Sequence, residues 1–229
     1  MHYLVLATDY DGTLARDGEV SGATVNALKR LRASGRKAIL VTGRELQELL
    51  WIFPEVELFD LVVAENGALL YSPKDRWEQV LVEPPPARFV MALRERGVSP
   101  LNIGRVIIAS EESESAEILS VIHSLGLDLQ VIFNKGSVMV LPSGVNKATG
   151  LAVALDHLGL SPQQVVGVGD AENDHPLLRY CGCGVAVANA LPALKISADI
   201  VTHGEQEDGV IELIDGILAD DLAGVCPQR

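Results

Sequence analysis

Short apolar runs alternate along this chain with segments whose apolar residues recur every three or four positions. The runs predict buried strands of a parallel sheet, both faces of which are covered; they are "YLVLAT", "RKAILVT", "LVVAE", "QVVGVG", "CGVAV" and "DIVT". The segments between them predict helices, the first with Ser21 as its N-cap and Gly35 as its stop. The alternation is typical of an α/β fold, here a doubly wound, Rossmann-like core.

This alternation is interrupted in the middle of the chain. Residues 67–83 alternate apolar and polar side chains around a Pro-Lys-Asp turn, which predicts a β-hairpin. A helix, a strand, a helix and two strands are predicted next, and the crossover pattern returns after Pro142. We therefore expect a core of residues 1–83 and 143–229 that carries a small inserted α+β cap domain, residues 84–142.

The charge balance narrows the class of partner. The net charge is −13, and the 18 Lys and Arg residues are scattered, which argues against nucleic acid or an anionic membrane as a partner. No apolar run is long enough to span a bilayer, and the N-terminus lacks a basic leader. We expect a cytoplasmic protein, a monomer or a homodimer, that binds a small molecule.

A few residue types are expected to serve packing alone. The three cysteines, Cys181, Cys183 and Cys226, are too few for a disulfide framework and match neither a zinc nor a redox spacing. We expect them, like Trp51 and Trp77, to be packing residues. The residues after Asp220 are expected to be frayed.

Polar residues cluster where the predicted strands end. Asp9 follows the first strand, Thr42 ends the second, Glu65 and Asn66 come at the end of the third, and Asp170 follows "QVVGVG". Ligands of open α/β sheets bind beyond the carboxyl ends of the strands. If these strands are neighbours, their polar groups meet at one edge.

Simpler interpretations exist for the two acidic segments. "DYDGT" is also a plausible turn, whereas a calcium-binding EF-hand is excluded because Thr13, Leu14 and Val20 occupy required ligand or glycine positions. The acidic residues of "GDAENDHP" suit the first turn of a helix as well. Neither glycine-rich phosphate motif is present.

Lys147 favours a functional interpretation. It lies at the start of a predicted helix, where a cation opposes the helix dipole unless an anion is bound nearby. Carboxylates from two strand ends, a hydroxyl group and one lysine suit a magnesium ion bridged to a phosphate.

Four motifs together resemble those of the haloacid dehalogenase (HAD) superfamily. They are "DYDGT" at 9–13, "VTGR" at 41–44, Lys147 and "GDAEND" at 169–174, in the family's order. "ENGA" at 65–68, with an α+β insert between the second and third motifs, is similar to the C2-type cap subgroup, the Cof-like or subclass IIB sugar-phosphate phosphatases.

The resemblance implies a role for each motif residue. The catalytic residues would be Asp9 as nucleophile, Asp11 as general acid and base, and Thr42 and Lys147 as ligands of the phosphoryl oxygens. The substrate-binding residues would be Gly12, Thr13, Gly43, Arg44, Asn66 and Asn173. Mg²⁺ would be held by Asp9, the backbone carbonyl of Asp11, Asp170 and Asp174.

The residues leave some roles open. Arg44 is expected to contact substrate or to cap its helix, and Glu65 and Asn66 to order nearby loops or to contact substrate. His175 is expected to be a surface residue. Tyr10 stands where Leu or Met is frequent in the family, and Arg88, Arg105, Asn134 and Lys135 are the cap residues that could meet a substrate.

The resemblance implies a Mg²⁺-dependent phosphatase acting on a small phosphorylated metabolite, a sugar phosphate or a phosphoglycolate-like acid, through an aspartyl phosphate. The alternatives are a phosphomutase of the same fold and a non-catalytic module that binds a phosphorylated ligand.

Overall fold

The computed structural model describes residues 1–226, which form twelve strands and eight α-helices. The strands are β1 (Val5–Thr8), β2 (Lys37–Val41), β3 (Leu61–Ala64), β4 (Leu69–Ser72), β5 (Trp77–Val80), β6 (Asn102–Ile103), β7 (Ile108–Glu111), β8 (Leu129–Asn134), β9 (Ser137–Pro142), β10 (Val165–Gly169), β11 (Cys183–Ala186) and β12 (Ile200–Val201). The helices are α1 (Gly22–Ala33), α2 (Leu46–Ile52), α3 (Ala87–Glu95), α4 (Ser115–Leu125), α5 (Lys147–Leu158), α6 (His175–Tyr180), α7 (Pro192–Ser197) and α8 (Gln206–Asp220).

The core is an eight-stranded sheet in the order β12-β11-β10-β1-β2-β3-β4-β5. The first six strands of that order are parallel, and the hairpin β4-β5 extends the sheet in antiparallel pairing. The chain runs from β1 outward to β2 and β3 and later fills the other side of β1 with β10, β11 and β12. This change of direction is the switch point of a doubly wound sheet, so the predicted fold class is confirmed.

Burial explains why the core strands carry few polar residues. β1, β3, β10 and β11 are buried at every position, because helices cover the sheet, with α1 packed on α8 and α5 on α6. The expected cap of α1 is present, since the Ser21 side chain accepts a hydrogen bond from Thr24 N–H at 3.3 Å.

A second sheet, in the order β6-β7-β9-β8, is antiparallel throughout. One face packs against α3 and α4 in a small core of its own that includes Phe89, Ile118 and Val140. The other face contributes Met139 and Leu141 to a cluster with Ala68, which belongs to the larger unit. The short strand β6 was not predicted. We call residues 84–142 the cap. The boundaries between the cap and the core stay a prediction.

Two expectations for packing residues were wrong. Cys183 and Cys226 form a disulfide, and only Cys181 is a free, buried thiol. The pairing joins residues 43 positions apart, so the spacing of neighbouring cysteines gave no sign of it. Trp51 has a side chain that is 83% exposed, whereas Trp77 packs against the core as expected.

Within the described residues, no helix combines the length and apolarity needed to cross a bilayer.

The C-terminal segment as far as Cys226 is docked, contrary to expectation. Asp221 ends α8 in a left-handed conformation, φ 63°, and its carboxylate accepts hydrogen bonds from the backbone N–H of His2 and Tyr3. It also accepts one at 3.0 Å from Arg36, which is itself buried and bonded to the Tyr3 carbonyl. One carboxylate therefore joins the N-terminus, the residue that precedes β2, and the end of α8.

We expect the Asp221→Asn variant to melt about 2–4 °C below wild type at pH 7, a loss of about 1 kcal/mol for a partly buried charged hydrogen bond. Burial opposes ionisation, but the His2 N–H and Arg36 lower the pKa of Asp221 below its usual range. The stabilisation is thus complete above the unfolded pKa and lost as the pH falls through the folded one, so the difference should shrink below about pH 4.

Thermal unfolding followed from pH 7 to pH 3 measures this difference. Asp215→Asn is the matched control, because Asp215 pairs with Arg30 on the exposed surface and should leave the melting temperature nearly unchanged. A difference between wild type and Asp221→Asn that stays constant down to pH 3 would contradict the assignment.

Candidate active site

The candidate site begins where β1 and β10 end side by side. Thr8 pairs in register with Val168, and the Asp9 N–H donates to the Val168 carbonyl at 3.0 Å. Asp9 and Asp170, which follow these strands, therefore start from neighbouring positions at the carboxyl edge. This is the switch point where doubly wound sheets bind ligands.

Lys147 lies between two of the site's carboxylates. Its ammonium donates to Asp9 Oδ1 at 2.5 Å and to Asp174 Oδ1 at 2.6 Å, and the side chain is 1% exposed. Among the hydrogen bonds of residues 1–226, none reaches Asp9 Oδ2. Asp9 is thus fixed through one oxygen, while its other oxygen is free of competing donors.

The start of α5 explains why a lysine is buried here. The Asn146 side chain caps the helix by accepting from Ala148 N–H and Thr149 N–H, and Lys147 is the first helical residue. Gly67 adopts φ +104° against this helix start, where a Cβ would collide with the Asn146 carbonyl. The anions expected from the unfavourable dipole position of Lys147 are therefore the protein's own carboxylates.

Asp9, Asp170 and Asp174 form a buried acidic cluster. One oxygen from each lies within 4.8 Å of the others, and the lysines in contact with the cluster are Lys147 and Lys135. Burial, with the neighbouring carboxylates, raises the pKa of Asp9 well above its usual range despite Lys147, and burial also raises the pKa of Asp170. Burial alone would lower the pKa of Lys147, but Asp174 and Asp9 raise it. The three carboxylates carry one more negative charge than the two lysines balance. Such a cluster of hard oxygen ligands suits a divalent cation such as Mg²⁺.

The loops around Asp170 hold its carboxylate in place. Thr13 donates to Oδ1 at 3.2 Å, and Asn189 lies 3.4 Å from Oδ2 while donating to the Gly12 carbonyl at 2.8 Å. Gly12 has φ +75°, and a Cβ there would collide with the Asp170 carboxylate, so this turn requires glycine. Asn189 was missed, although its place after β11 follows the same strand-end rule.

Asp174 is held by the turn that it ends. Its Oδ2 accepts from the backbone N–H of Asp170 at 2.9 Å and of Ala171 at 3.0 Å. Because Oδ1 also accepts from Lys147, this carboxylate connects the loop after β10 with α5.

Asp11 is not part of the acidic cluster and pairs with Arg44 instead. Its carboxylate accepts two hydrogen bonds from Arg44, from Nε and Nη2, both at 2.7 Å. The guanidinium lies 5.5 Å from the ring centre of Tyr10, a cation–π distance. Tyr10 is buried, which raises the pKa of its hydroxyl to about 12, and it donates to the Gly18 carbonyl at 2.9 Å. Arg44 thus contacts Asp11, a partner that the sequence did not indicate, and Tyr10 supports Arg44.

Thr42, predicted to be catalytic, and the remaining predicted substrate-binding residues lie on loops next to the cluster. Thr42 is 1% exposed and its hydroxyl accepts from Arg44 N–H, while a Cβ on Gly43 would lie 3.5 Å from Met139 Sδ. Asn66, at φ 56°, accepts from Asn173 Nδ2 at 3.0 Å and contacts Met139 Sδ at 3.1 Å. In the described chain, Asn173 Oδ1 is buried without a hydrogen-bond partner, which leaves one acceptor for a ligand.

Glu65 links the core to the cap. The residue is 1% exposed, and its carboxylate accepts from the backbone N–H of Arg105 at 2.9 Å, Val106 at 2.7 Å and Ile107 at 2.9 Å. Three amides directed at one carboxylate form an anion-binding turn. Of the two roles expected for Glu65, the structure supports the ordering of a loop, and that loop belongs to the cap.

The cap residues considered from sequence differ in whether they reach the acidic cluster. Lys135, at the tip of the β8-β9 hairpin, contacts Asp170 Oδ2, whereas the Arg105 side chain contacts Glu78 and Arg88 is exposed. His175 was expected to be a surface residue, but it is half-buried, and its Nδ1 lies 3.1 Å from Ser197 Oγ.

Comparisons with known proteins place the chain in a family. The sequence profile of haloacid dehalogenase-like hydrolases matches residues 6–95 and 95–214. Phosphoglycolate phosphatase 2 of Saccharolobus solfataricus is 31% identical over 96% of this chain and 94% of its own length. 5-Amino-6-(5-phospho-D-ribitylamino)uracil phosphatase YitU of Bacillus subtilis is 26% identical over 92% of this chain and 96% of its own.

Among solved structures, the HAD subclass IIB sugar phosphatase BT4131 superposes with a TM-score of 0.76 at 21% identity. The superposition covers 93% of this chain and 98% of the other, and it shows that the two share a fold.

The chain belongs to the haloacid dehalogenase-like hydrolase family, as its four motifs indicated. Within that family it is an enzyme, a phosphatase with the Cof-like fold.

We expect Glu65→Ala to destabilise the protein by about 2–4 kcal/mol, because several buried N–H groups lose their acceptor. Hydrogen exchange at the amides of residues 105–107 should quicken, and Glu65→Gln should show a smaller effect. Glu78→Ala is the matched control, since it removes only the side-chain contact to Arg105. Unchanged exchange at these amides in Glu65→Ala would show that the carboxylate does not hold the cap.

Proposed function

We propose that this phosphatase hydrolyses the phosphomonoester of a small phosphorylated metabolite, a sugar phosphate or a phosphoglycolate-like acid, in a Mg²⁺-dependent reaction with an aspartyl-phosphate intermediate. The observation that carries the proposal is the environment of Asp9, which clusters with Asp170 and Asp174 and whose Oδ1 is fixed by Lys147, while no hydrogen bond of the described residues reaches its Oδ2. The names of the relatives support the substrate class, because phosphoglycolate phosphatase 2 matches nearly the whole chain.

The proposed reaction has two displacements at phosphorus. Asp9 Oδ2 attacks the phosphorus atom, the ester P–O bond breaks, and the leaving alkoxide takes a proton from Asp11. Water then attacks the phosphorus of the aspartyl phosphate and gives a proton to Asp11, while the P–O bond to Asp9 breaks. Inorganic phosphate leaves, and both carboxyl groups return to their starting forms.

Asp9, Asp170, Asp174 and the backbone carbonyl of Asp11 are the residues that would hold Mg²⁺. The chemistry of the oxygen-only cluster and the orphaned Asn173 Oδ1 fit this ion or its water ligands. A bound dication would supply neutralisation of the charge on the phosphoryl oxygens. Lys147 and Thr42 contribute donors to the same oxygens, and Lys147 also reduces the repulsion between Asp9 and an anionic substrate.

The cap supports a small substrate. Met139 and Lys135 reach the core loops around the acidic cluster, so the space above Asp9 is bounded by side chains of the cap. Exclusion of bulk water by such a cap would protect the first displacement. A cytoplasmic location and a monomeric or homodimeric state remain predictions.

Phosphate release from a panel of phosphorylated metabolites, with and without Mg²⁺, tests the proposal. We expect Mg²⁺-dependent release by wild type and a loss of at least about 1,000-fold in Asp9→Asn, because the nucleophile is removed. Asp17→Asn is the matched control, since Asp17 is an exposed aspartate on the same loop whose φ of 52° suits asparagine. Transfer of the phosphoryl group to a second substrate would instead indicate a mutase, and binding without release a non-catalytic module.

Arg44 is proposed to be a positioning residue for Asp11. We expect Arg44→Lys and Arg44→Met to lower kcat by about 100-fold with little change in KM, because a misplaced acid-base group slows proton transfer without removing a substrate contact. Steady-state kinetics with the best substrate of the panel measures both parameters. A rise in KM at unchanged kcat would show that Arg44 binds substrate directly.

A further inference from the structure

The tip of the β8-β9 hairpin has an unusual conformation. Asn134 pairs with Ser137, so Lys135 and Gly136 form a two-residue turn with φ values of 45° and 85°. Such turns match the twist of a hairpin, but they favour Asn or Gly at the first position. A lysine with positive φ is uncommon and disfavoured, which suggests that its side chain serves a purpose here.

This turn directs its lysine into the catalytic core. Lys135 contacts Asp170 Oδ2 through its ammonium, and its N–H lies 3.4 Å from Glu172 Oε2. The other basic cap side chains that form ion pairs contact surface acids, Arg96 with Glu117 and Arg105 with Glu78. Within the described cap, Lys135 is thus the basic residue that reaches the acidic cluster.

The charge of Lys135 is in excess when a divalent cation occupies the site and no substrate anion is bound. Three carboxylates form the cluster, and Lys147 together with a divalent cation would balance them. A dication held by Asp170 would compete for this carboxylate and repel the Lys135 ammonium, whose flexible four-carbon stem allows it to turn toward another anion.

The cap side is where the rest of the substrate must lie. In an in-line displacement the leaving oxygen is opposite the attacking oxygen, and Asp9 attacks from the core. The leaving group therefore projects toward the cap. A mobile ammonium suits a single carboxylate, whereas a sugar requires several fixed polar partners for its hydroxyl groups.

We propose that Lys135 is a specificity-determining residue that binds the carboxylate of a phosphorylated small acid. This inference rests on the proposed phosphatase function and favours phosphorylated acids over sugar phosphates within it. The hairpin tip holds the lysine above the cluster, and the substrate's carboxylate replaces Asp170 as its partner.

Two esters of similar size, 2-phosphoglycolate and hydroxyethyl phosphate, test the inference. The first carries a carboxylate where the second carries a hydroxymethyl group. We expect wild type to prefer phosphoglycolate. Lys135→Met should lower kcat/KM for phosphoglycolate by about 10- to 100-fold, the effect of one charged hydrogen bond, and change that for hydroxyethyl phosphate by less than about threefold. Lys135→Arg should restore part of the preference.

Arg88→Met is the matched control, because it removes an exposed positive charge from the same cap and should leave the preference unchanged. An equal loss on both esters would overturn the inference, since Lys135 would then serve the phosphoryl group or the fold. No loss on either ester, or a wild-type preference for hydroxyethyl phosphate or for sugar phosphates, would overturn it as well.

Calorimetric binding separates this inference from the proposed function. The two esters are titrated into Asp9→Asn and into Asp9→Asn combined with Lys135→Met, with Mg²⁺ present. Tighter binding of phosphoglycolate that disappears in the double variant supports the role of Lys135 even if wild type releases no phosphate. Equal affinities in both proteins would overturn that role even if wild type is an active phosphatase.

Discussion

The site depends on one buried electrostatic contact, the Lys147 ammonium between Asp9 and Asp174. The contact joins the end of β1, the start of α5 and the turn after β10, which are distant along the chain. Burying these charges is unfavourable unless each is paired, and removing one partner leaves an uncompensated charge. The same contact that costs stability in isolation therefore fixes the orientation of the candidate nucleophile.

The cap and core are joined by reciprocal charged contacts. Glu65 extends from the core and accepts three backbone amides of the cap, whereas Lys135 extends from the cap and contacts a carboxylate of the core. The Glu65 contact is buried and uses backbone donors, so it fixes where the cap sits. The Lys135 contact is half-exposed and uses a flexible side chain, so it is the one that a ligand can replace.

Most of the fold could be predicted because the signals that define it are local. Buried strands appear in the sequence as apolar runs, and helices appear as apolar residues that recur every three or four positions. The order of elements, the hairpin after β3 and the inserted sheet were therefore predicted. The residues Asp9, Thr42 and Asp170 could also be placed at one edge, since the carboxyl ends of neighbouring parallel strands coincide. Strand β6, with two residues, was too short to leave a pattern.

The sequence alone determined the fold class, the family motifs and the kind of chemistry that their carboxylates and lysine can perform. Only the tertiary structure decided which groups pair: Arg44 with Asp11, Glu65 with the amides of residues 105–107, Cys183 with Cys226, and Lys135 with Asp170. The reason is physical. Strand and helix preferences arise between residues a few positions apart, whereas these contacts join residues 33 to 43 positions apart, and nothing in either local segment specifies its partner.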